Sequence, residues 1–334
     1  MPMKTFTFIL FIAVINIQAQ VSDFKHVNFT KADNLAKLYE SESLKNVPLL
    51  THNLTHSLKT DIEKFRAIYK WICANINGDH RLSQKILAKN KKLKNKTELS
   101  KEWQLSMLPK VFKKLRKQKR TMCTGYAYLL KYMSEIAGIK CKIIHGYART
   151  ATTNLNSFEL INHSWNAVKI NNKWYLCDPT WSSGYANESF QFIKDYNDGY
   201  FLTSPQLFSK NHFPLDETWL LNSNESSTSY LESPIIYNET FKHSTFPISP
   251  SKIALEIPTK QLSEFIFTSE LEQSDSFDMV IEKGNLIKFI SPKTSFNHKK
   301  KQVKLSYSLK NKGSYKLHVL FNNDIVSTYL ISGK

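Results

Sequence analysis

The sequence has no long hydrophobic run and few glycines, and both shortages narrow the class of protein. No stretch approaches the roughly 18 apolar residues that a membrane-spanning helix needs, so no transmembrane segment is predicted in the mature chain. Only 9 of the 334 residues are glycine, while 41% are hydrophobic and 13% aromatic. This composition excludes collagen-like and disordered chains and predicts a folded protein long enough for two cores.

Cysteine is also scarce, with four residues in the chain. Their spacing lacks the paired regularity of a disulfide framework. A disulfide between Cys141 and Cys177 is possible if their strands prove to be neighbours in a sheet. Otherwise we expect Cys73, Cys141 and Cys177 to behave as small buried apolar residues, which leaves Cys123 as the candidate for chemistry.

Acidic residues are the third shortage, because 28 Asp and Glu oppose 46 Lys and Arg, for a net charge of +18. Most of the excess lies in residues 84–120, where 14 Lys and Arg stand against two acids. Such a stretch could bind nucleic acid, anionic lipid or an acidic surface polymer, or it could be a solvated surface insertion. One amphipathic helix is expected within it, from Trp103 to Leu115, broken at Pro109.

The first 19 residues have the layout of a secretory signal peptide. A positively charged start, MPMK, precedes an apolar run from Thr5 to Ile15, and Ala19 is a small residue before the expected cut. No cysteine follows the cut, so no lipid anchor is predicted there. We therefore predict an exported protein, periplasmic or extracellular, and export argues against nucleic acid as the partner of the basic stretch.

The middle of the chain combines helical and strand periodicities. Apolar residues recur at helical spacing from Leu58 to Ile72 and from Cys123 to Ala137. Alternating patterns predict strands at Cys141–Ala148, His163–Ile170 and Lys173–Asp178. Asn171-Asn172 suits a tight turn between the last two strands. Helices followed by antiparallel strands indicate an α+β fold with helices packed on an antiparallel sheet.

From about Ser233 the pattern changes to short strands separated by turn residues. The predicted strands are KIALEI, EFIFTS, FDMVIE, NLIKFIS, QVKLSYSL, SYKLHVLF and DIVSTYLI. Their ten-residue spacing predicts an antiparallel, Ig-like β-sandwich. The predicted organisation is a signal peptide at 1–19, an α+β domain at 20–230 with the basic insertion 84–120, and a β-sandwich at 231–334.

Cys123 stands at the first turn of a predicted helix. Unpaired backbone N–H groups and the positive end of the helix dipole favour thiolate over thiol at such a position. The same N–H groups can receive an oxyanion that forms on an attacked carbonyl. Gly125 is expected to keep the surface beside the sulfur open. Cys73 lies in mid-helix and lacks these advantages.

His163 and Asp178 lie on opposite arms of the predicted hairpin. With the turn at Asn171-Asn172, residue i pairs near residue 343 − i, which brings His163 close to Asp178. An aspartate in that position can hold the imidazole tautomer of a catalytic base. His52 and His56 have an i,i+4 spacing but no third ligand nearby. We therefore predict neither a metal site nor a cofactor.

Three segments, CTGYA, NHSWNAV and DPTW, in that order resemble the transglutaminase-like superfamily of papain-type cysteine enzymes, over about residues 55–220. IYKWICANI and YFLTSPQLFSKNHFPLDETWLL are similar to segments of the branch that includes the kyphoscoliosis peptidase and related bacterial exported proteins. The resemblance implies that Cys123 is the nucleophile, His163 the base and Asp178 the third member of a triad.

Two features depart from that pattern, namely the residues that follow the upstream helix and the unusually basic insertion from Gln84 to Arg120. The family usually has a Tyr-Asp pair after the upstream helix, where this chain has Gly78-Asp79. The side-chain donor that some relatives add to the oxyanion hole is not evident, and Trp103 and Gln118 are candidates by position alone. Substrate access to the triad is therefore expected to differ from that of relatives.

The implied reaction is cysteine-dependent acyl transfer on the amide bonds of a protein or peptide, through a thioester. Hydrolysis is favoured over protein cross-linking because nothing marks a calcium site. The alternative is a non-catalytic scaffold or binding module at the cell surface. A glycosylation sequon at Asn162-His163-Ser164 would crowd the base, which favours a bacterial host.

Overall fold

The computed structural model describes residues 20–93, 96–150, 158, 160–187, 189–268 and 275–334, and the predicted signal peptide lies outside these residues. The helices are α1 Thr30–Leu38, α2 Val47–Thr55, α3 Asp61–Asn75, α4 His80–Lys92, α5 Thr97–Gln118, α6 Cys123–Ile136, α7 Pro179–Ser183, α8 Pro205–Phe208, α9 Ser227–Glu232 and α10 Asn238–Lys242. The strands of the first part are β1 Asn77–Gly78, β2 Arg120–Thr121, β3 Cys141–Ala148, β4 His163–Ile170, β5 Lys173–Cys177, β6 Gly184–Ala186, β7 Phe192–Lys194 and β8 His212–Pro214. Those that follow are β9 Ile235–Ile236, β10 Pro247–Ser249, β11 Ala254–Ile257, β12 Leu262–Thr268, β13 Phe277–Lys283, β14 Leu286–Ile290, β15 Lys293–Asn297, β16 Gln302–Ser308, β17 Gly313–Phe321 and β18 Asp324–Gly333.

A four-stranded antiparallel sheet, in the order β5-β4-β3-β8, forms the centre of the first part of the molecule. Asn171 and Asn172 both have positive φ, 49° and 63°, as a two-residue type I′ hairpin requires. The pairing runs from Ile170 opposite Lys173 to Asn166 opposite Cys177, which is the predicted register. The hairpin that was expected to bring His163 towards Asp178 is therefore confirmed.

Helices α1, α3 and α6 cover one face of this sheet. Thr60 and Glu63 form a capping box that starts α3, satisfying backbone N–H groups that would otherwise be unpaired. Phe65 of α3 and Leu130 of α6 share one buried apolar core with Val168 of β4. This packing of helices on an antiparallel sheet confirms the predicted α+β class.

The basic stretch folds as α4 and α5, and the predicted break at Pro109 is wrong. Helix α5 continues through Pro109. Proline removes the hydrogen bond to the carbonyl four residues earlier, but Pro109 and Leu105 are exposed, so water can bond to the freed carbonyl. Val111 and Leu115 bury the other face. Along the described part of the chain, no helix is both long and apolar enough to cross a membrane.

The C-terminal part contains two sheets, one in the order β10-β12-β16-β15 and the other β11-β18-β17-β13-β14, with β9 also on β18. Phe265 and Val303 from the first sheet lie in one apolar core with Met279 and Val319 from the second. A sheet-rich C-terminal region is therefore present, and its Ig-like character stays a prediction. The expectation of a wholly antiparallel arrangement is wrong, because β11 pairs with β18 in parallel. The intervening strands form the long crossover that parallel pairing needs.

The residues around the predicted domain boundary pack on both parts of the molecule. Ile236 pairs with Ser327 of β18 and lies in the same apolar cluster as Trp165 and Phe208 of the first part. Buried Arg149 donates hydrogen bonds to the carbonyl groups of Tyr230, Leu231 and Ser233. The two parts thus share a packed junction, and the boundary at residue 231 stays a prediction.

Candidate active site

Cys123 is the first residue of α6, at the end of the helix where backbone N–H groups lack intrahelical acceptors. Among the described residues no side chain caps this end. The Gly125 N–H bonds to the Met122 carbonyl at 2.9 Å, which leaves the N–H groups of Cys123 and Thr124 for another acceptor. These two groups are suitably placed to bind an oxyanion formed on a carbonyl attacked by the Cys123 sulfur.

Gly125 has a packing role that differs from the expected one. A Cβ atom built on Gly125 would lie 1.9 Å from Oγ1 of Thr121, so the space beside this glycine is filled by protein. Thr121 is completely buried in β2. The glycine therefore allows β2 to pack against the first turn of α6, and the expectation that it keeps the surface open is wrong.

His163 and Asp178 form a buried hydrogen-bonded pair. The His163 Nε2 and Asp178 Oδ2 atoms are 2.7 Å apart, with 6% and 0% of the two side chains exposed. Asp178 also caps α7, because its Oδ1 atom accepts from the N–H groups of Thr180 at 2.7 Å and Trp181 at 3.3 Å. The DPTW segment thus fixes the carboxylate, and Oδ2 is left to face the imidazole.

The Cys123 thiol and the His163 ring influence each other's pKa. Because Nε2 of His163 is engaged by Asp178, Nδ1 is the nitrogen available to the thiol. Burial opposes the charged form of both residues. For His163 it is outweighed by the charge and hydrogen bond of Asp178, so the pKa of His163 is raised to about 10. For Cys123 it is outweighed by the hydrogen bond and charge of His163, so the thiol pKa is lowered.

The pKa values of the other three cysteines are shifted in the opposite direction. Burial raises the pKa of Cys141 to about 12 and also raises the pKa values of Cys73 and Cys177 above that of an ordinary thiol. All four cysteines lie in described residues and none is in a disulfide. Cys141 and Cys177 stand on β3 and β5, which β4 separates, so the open possibility of a bridge between them is excluded in this fold.

His212 belongs to the same cluster and was not singled out from the sequence. Its Nε2 atom lies 3.2 Å from Asp178 Oδ2, its side chain is completely buried, and its ring stacks on Phe208 with centroids 4.1 Å apart. Strand β8 brings it there by pairing with β3, where Ala148 is opposite His212. The sequence did contain a signal for His212, which lies 34 residues after Asp178. It belongs to the NHFPL part of YFLTSPQLFSKNHFPLDETWLL, the segment that is similar to relatives.

Among the described residues, one group has the residue types and the proximity that a metal site needs. It consists of His163, Asp178 and His212, whose ligand atoms lie within 4.8 Å of one another. Around a tetrahedral ion at about 2.1 Å, neighbouring ligand atoms lie about 3.4 Å apart. The observed separations from Asp178 Oδ2, 2.7 and 3.2 Å, are hydrogen-bond lengths. The geometry therefore fits proton sharing better than metal binding.

Other residues considered from the sequence lie away from this cluster or have different roles. His52 and His56 are exposed on α2 and stack on each other. Trp103 lies 15 residues before the end of α5, about 22 Å along the helix. Since Phe112 of α5 packs on Tyr128 of α6, the chain turns back between these helices, and Trp103 lies far from Cys123. Gln118 is exposed at the end of α5 and stays a candidate by position alone.

The two remaining sequence features have structural explanations. A Cβ atom on Gly78 would lie 2.7 Å from the Phe192 ring, so an aromatic from β7 fills the space beside the glycine. In the sequon, the Asn162 side chain accepts from the Ala148 N–H at 2.6 Å and donates to its carbonyl at 2.9 Å. The Asn162 amide is thereby engaged in the fold.

Comparison with known proteins identifies the part of the chain that carries this geometry. Residues 49–179 match the model of the transglutaminase-like superfamily. This part of the chain is a transglutaminase-like domain. The match contains Cys123, His163 and Asp178 and confirms the predicted superfamily and fold class. The catalytic roles of the three residues stay predictions.

Relatives of the transglutaminase-like domain include animal proteins much longer than this chain. Human kyphoscoliosis peptidase is 32% identical over 221 residues, which are 64% of this chain and 30% of the relative. Hillarin of Drosophila melanogaster is 24% identical over 293 residues, 78% of this chain and 33% of the relative. The chain thus spans about a third of the length of these curated relatives. A solved TGase aligns over 57% of this chain and 40% of its own, with 14% identity and a TM-score of 0.28, too low to carry an argument.

Proposed function

We propose that the chain is a cysteine-dependent acyltransferase that acts on amide bonds of a protein or peptide. The proposal rests on the buried cluster of Cys123, at the start of α6, with His163 and Asp178. In this cluster the pKa of the Cys123 thiol is lowered and the pKa of the His163 imidazole is raised. Cys123 attacks the carbonyl, His163 protonates the leaving amine, and an incoming nucleophile releases the acyl group from the thioester.

Water is the proposed final acyl acceptor, which makes the reaction a hydrolysis. The human relative is named a peptidase, and an amine acceptor would instead give protein cross-linking. We also propose that the protein is exported after removal of residues 1–19, from the layout of those residues. An exported peptidase or amidase would meet its substrate in the periplasm or outside the cell.

Incubation with unfolded casein and a biotinylated primary amine tests the reaction and its acceptor together. Hydrolysis produces new N-termini, which mass spectrometry maps, whereas cross-linking attaches biotin to glutamine side chains. We expect new N-termini with the parent protein and with Cys73→Ala, and none with Cys123→Ala. Biotin attachment without cleavage would make the enzyme a transamidase.

A non-catalytic scaffold is the second candidate, and one observation favours it. Only 7% of Cys123 and 7% of His163 are exposed, so little of the proposed nucleophile is open to a protein substrate. If neither new N-termini nor biotin attachment appears, and Cys123 is alkylated no faster than Cys73 at pH 6, the catalytic proposal fails. The scaffold would then be the better description.

An anionic surface polymer is the proposed partner of the basic insertion. Two grooves of about 570 and 500 Å³ adjoin each other and share Arg81 and Arg120 in their walls. Lys194 lines the first groove, while Lys85 and Lys114 line the second. These cations outnumber the single acid in the grooves, Asp79, so the net charge of the walls favours an anionic ligand.

Binding to immobilised heparin at increasing salt tests this partner. The double variant Arg81→Gln/Lys85→Gln should be released at a lower salt concentration than the parent, because exposed charge interactions are screened by salt. The control Lys299→Gln/Lys300→Gln removes two exposed lysines from the C-terminal part. Equal release of both variants would show that net charge alone is responsible.

A further inference from the structure

The carboxylate of Asp178 is held from two sides by histidines. Its Oδ2 atom is 2.7 Å from Nε2 of His163 and 3.2 Å from Nε2 of His212. A triad needs the first contact, whereas the second comes from a separate strand, β8. The side chain of His212 is completely buried, and burying a polar ring is unfavourable unless the ring is hydrogen-bonded.

The surroundings of His212 favour its neutral form. Its ring packs against Phe208, Trp165 and Trp181, with centroids 4.1, 5.1 and 4.5 Å away. Burial in this aromatic pocket lowers the pKa of His212 to about 4, although the hydrogen bond to Asp178 opposes the change.

The ionisable groups that face His212 are Asp178, His163 and Tyr200. Burial keeps Tyr200 neutral by raising its pKa well above the ordinary value. A second cation beside Asp178 would also face the His163 imidazolium, at a ring distance of 5.3 Å, and like charges at that distance repel.

The tautomer of His212 follows from its two partners. A neutral imidazole has one N–H, and a carboxylate can only accept, so the proton belongs on Nε2. Nδ1 must then accept, and the Asn211 atom placed 2.7 Å from it is Oδ1. A half-turn of the Asn211 amide presents its NH₂ group to Nδ1 and its oxygen to the Tyr200 hydroxyl, which lies 3.2 Å from the other amide atom. This hydroxyl donates to Oδ1 of Asn238 at 3.0 Å, so it can donate to Asn211 instead once the Asn238 amide turns in the same way.

We propose that His212 is a positioning residue that donates a neutral hydrogen bond from Nε2 to Asp178 and orients this carboxylate towards His163. The inference rests on the proposed function, because it explains how the Cys123–His163 pair is kept ionised. A neutral donor fixes the carboxylate without cancelling the negative charge that stabilises the imidazolium. A charged His212 would cancel much of that charge and weaken the ion pair.

Two variants of nearly equal size separate hydrogen bonding from packing. His212→Gln can place an amide N–H near the position of Nε2, whereas His212→Met has a similar length and no donor. Both variants lose the ring, so the comparison between them isolates the donor. The measurement is the rate of Cys123 alkylation by limiting iodoacetamide from pH 5 to 9, with thermal unfolding as the check on folding.

The acid limb of the alkylation profile should move to higher pH in His212→Met. One pKa unit corresponds to a factor of ten, and we expect the rate at pH 6 to fall by about tenfold relative to the parent. His212→Gln should stay within about threefold of the parent. Equal profiles for His212→Met and the parent would overturn the proposal, as would equal losses in both variants.

The state of His212 can also be read in the unaltered protein. In a sample with ¹⁵N-labelled histidine, the ring that shows nuclear Overhauser contacts to Phe208, whose ring lies 4.1 Å from that of His212, should be neutral with its proton on Nε2 from pH 5 to 8. A proton on Nδ1, or titration within that range, would overturn the proposal even if the variants fail to fold. If instead Cys123 of the parent has no rate advantage over Cys73, the proposed function fails while the ring signal still tests His212.

Discussion

The two parts of the molecule each contain a histidine–aspartate pair with the same Nε2–Oδ2 distance of 2.7 Å. His163–Asp178 lies in the transglutaminase-like domain, and His243–Asp324 joins the end of α10 to β18. They differ in burial, because 6% and 0% of the first two side chains are exposed, against 20% and 42% of the second two. The same Nε2–Oδ2 distance therefore occurs in two very different electrostatic environments.

The difference shows why distance alone does not identify a functional pair. Water screens an exposed ion pair, which contributes little to stability, whereas a buried carboxylate strongly favours a neighbouring cation. Only the buried pair is connected further, to the Cys123 thiol on one side and to His212 on the other. The more exposed pair instead adjoins Phe321, whose ring centroid lies 5.0 Å from that of His243. Function is expected where burial and connection coincide.

The largest expected effect is the removal of the charge from the buried pair. Asp178→Asn keeps the size of the side chain but cannot stabilise the His163 imidazolium. The same change in a serine-protease triad lowers kcat about 10⁴-fold, and we expect cleavage by this protein to fall by about 10³–10⁴-fold. The assay is casein cleavage followed by mass spectrometry.

Asp324→Asn is the matched control for that substitution. It makes the same chemical change at the same distance from a histidine, in the exposed pair. Cleavage should remain within about twofold of the parent, because Asp324 contacts none of the three proposed catalytic residues among the described contacts. A similar loss in both variants would contradict the distinction drawn between the two pairs.

The second expected effect comes from a substitution that destabilises the C-terminal part and leaves the proposed active site unchanged. Phe265 is completely buried between the two sheets and packs on Tyr329 at 5.1 Å. Phe265→Ala should lower the free energy of unfolding by about 3–5 kcal/mol, through lost burial and a new cavity. Urea unfolding measures this loss. The rate of Cys123 alkylation in the folded variant should not change, and a large decrease would show that the sandwich core supports the site.

Local patterns sufficed to predict the hairpin that builds the site. The turn at Asn171-Asn172 needs two residues that tolerate positive φ, and it fixes the register of β4 and β5 without reference to the rest of the chain. The start of α6 at Cys123 was also predictable, because helical periodicity is a local feature. These short-range relations place His163 beside Asp178, whereas the packing of α6 on β4 brings Cys123 to them.

Contacts between distant segments were not predictable in the same way. His212 reaches Asp178 only because β8 adds to the far edge of the sheet through β3, and three residues give β8 little pattern of its own. Likewise, the parallel pairing of β11 with β18 joins segments some 75 residues apart. The helix through Pro109 depends on which side of α5 faces water, which composition does not specify. In each case tertiary packing decides the result.

The third expected effect concerns the pH dependence of stability around the buried pair. We expect the folded parent to keep the proton shared by Cys123 and His163 on His163, because the thiol pKa is lowered and the pKa of His163 is raised. In the unfolded chain the thiol holds this proton between about pH 6.5 and 8.5. The two states then bind equal numbers of protons through this pair, so the pair gives no slope of stability with pH. With Cys123→Ala the contribution of the thiol to the pKa of His163 is lost, and the larger increase caused by Asp178 remains.

The stability of Cys123→Ala should therefore fall as pH rises above about 6.5, because the folded protein then binds one more proton than the unfolded chain. The fall should reach roughly 2 kcal/mol by pH 8.5, relative to the parent, and should stop once pH exceeds the folded pKa of His163. Urea unfolding at pH 6 and pH 8.5 measures it. A parallel pH dependence in parent and variant would mean that Cys123 is an ordinary thiol in the folded protein.

The smallest expected effect is the coupling within the exposed pair. A double-mutant cycle of His243→Gln and Asp324→Asn, measured by urea unfolding at pH 6, should give a coupling energy below about 1 kcal/mol. Added salt should reduce it further, since 42% of the Asp324 side chain is exposed and mobile ions screen exposed charges. A coupling of about 3 kcal/mol, the size expected on breaking a buried pair, would mean that the 2.7 Å contact itself is what makes a histidine–aspartate pair strong. His163–Asp178 would then differ from His243–Asp324 by its connection to Cys123 and His212, and burial would no longer distinguish the two pairs.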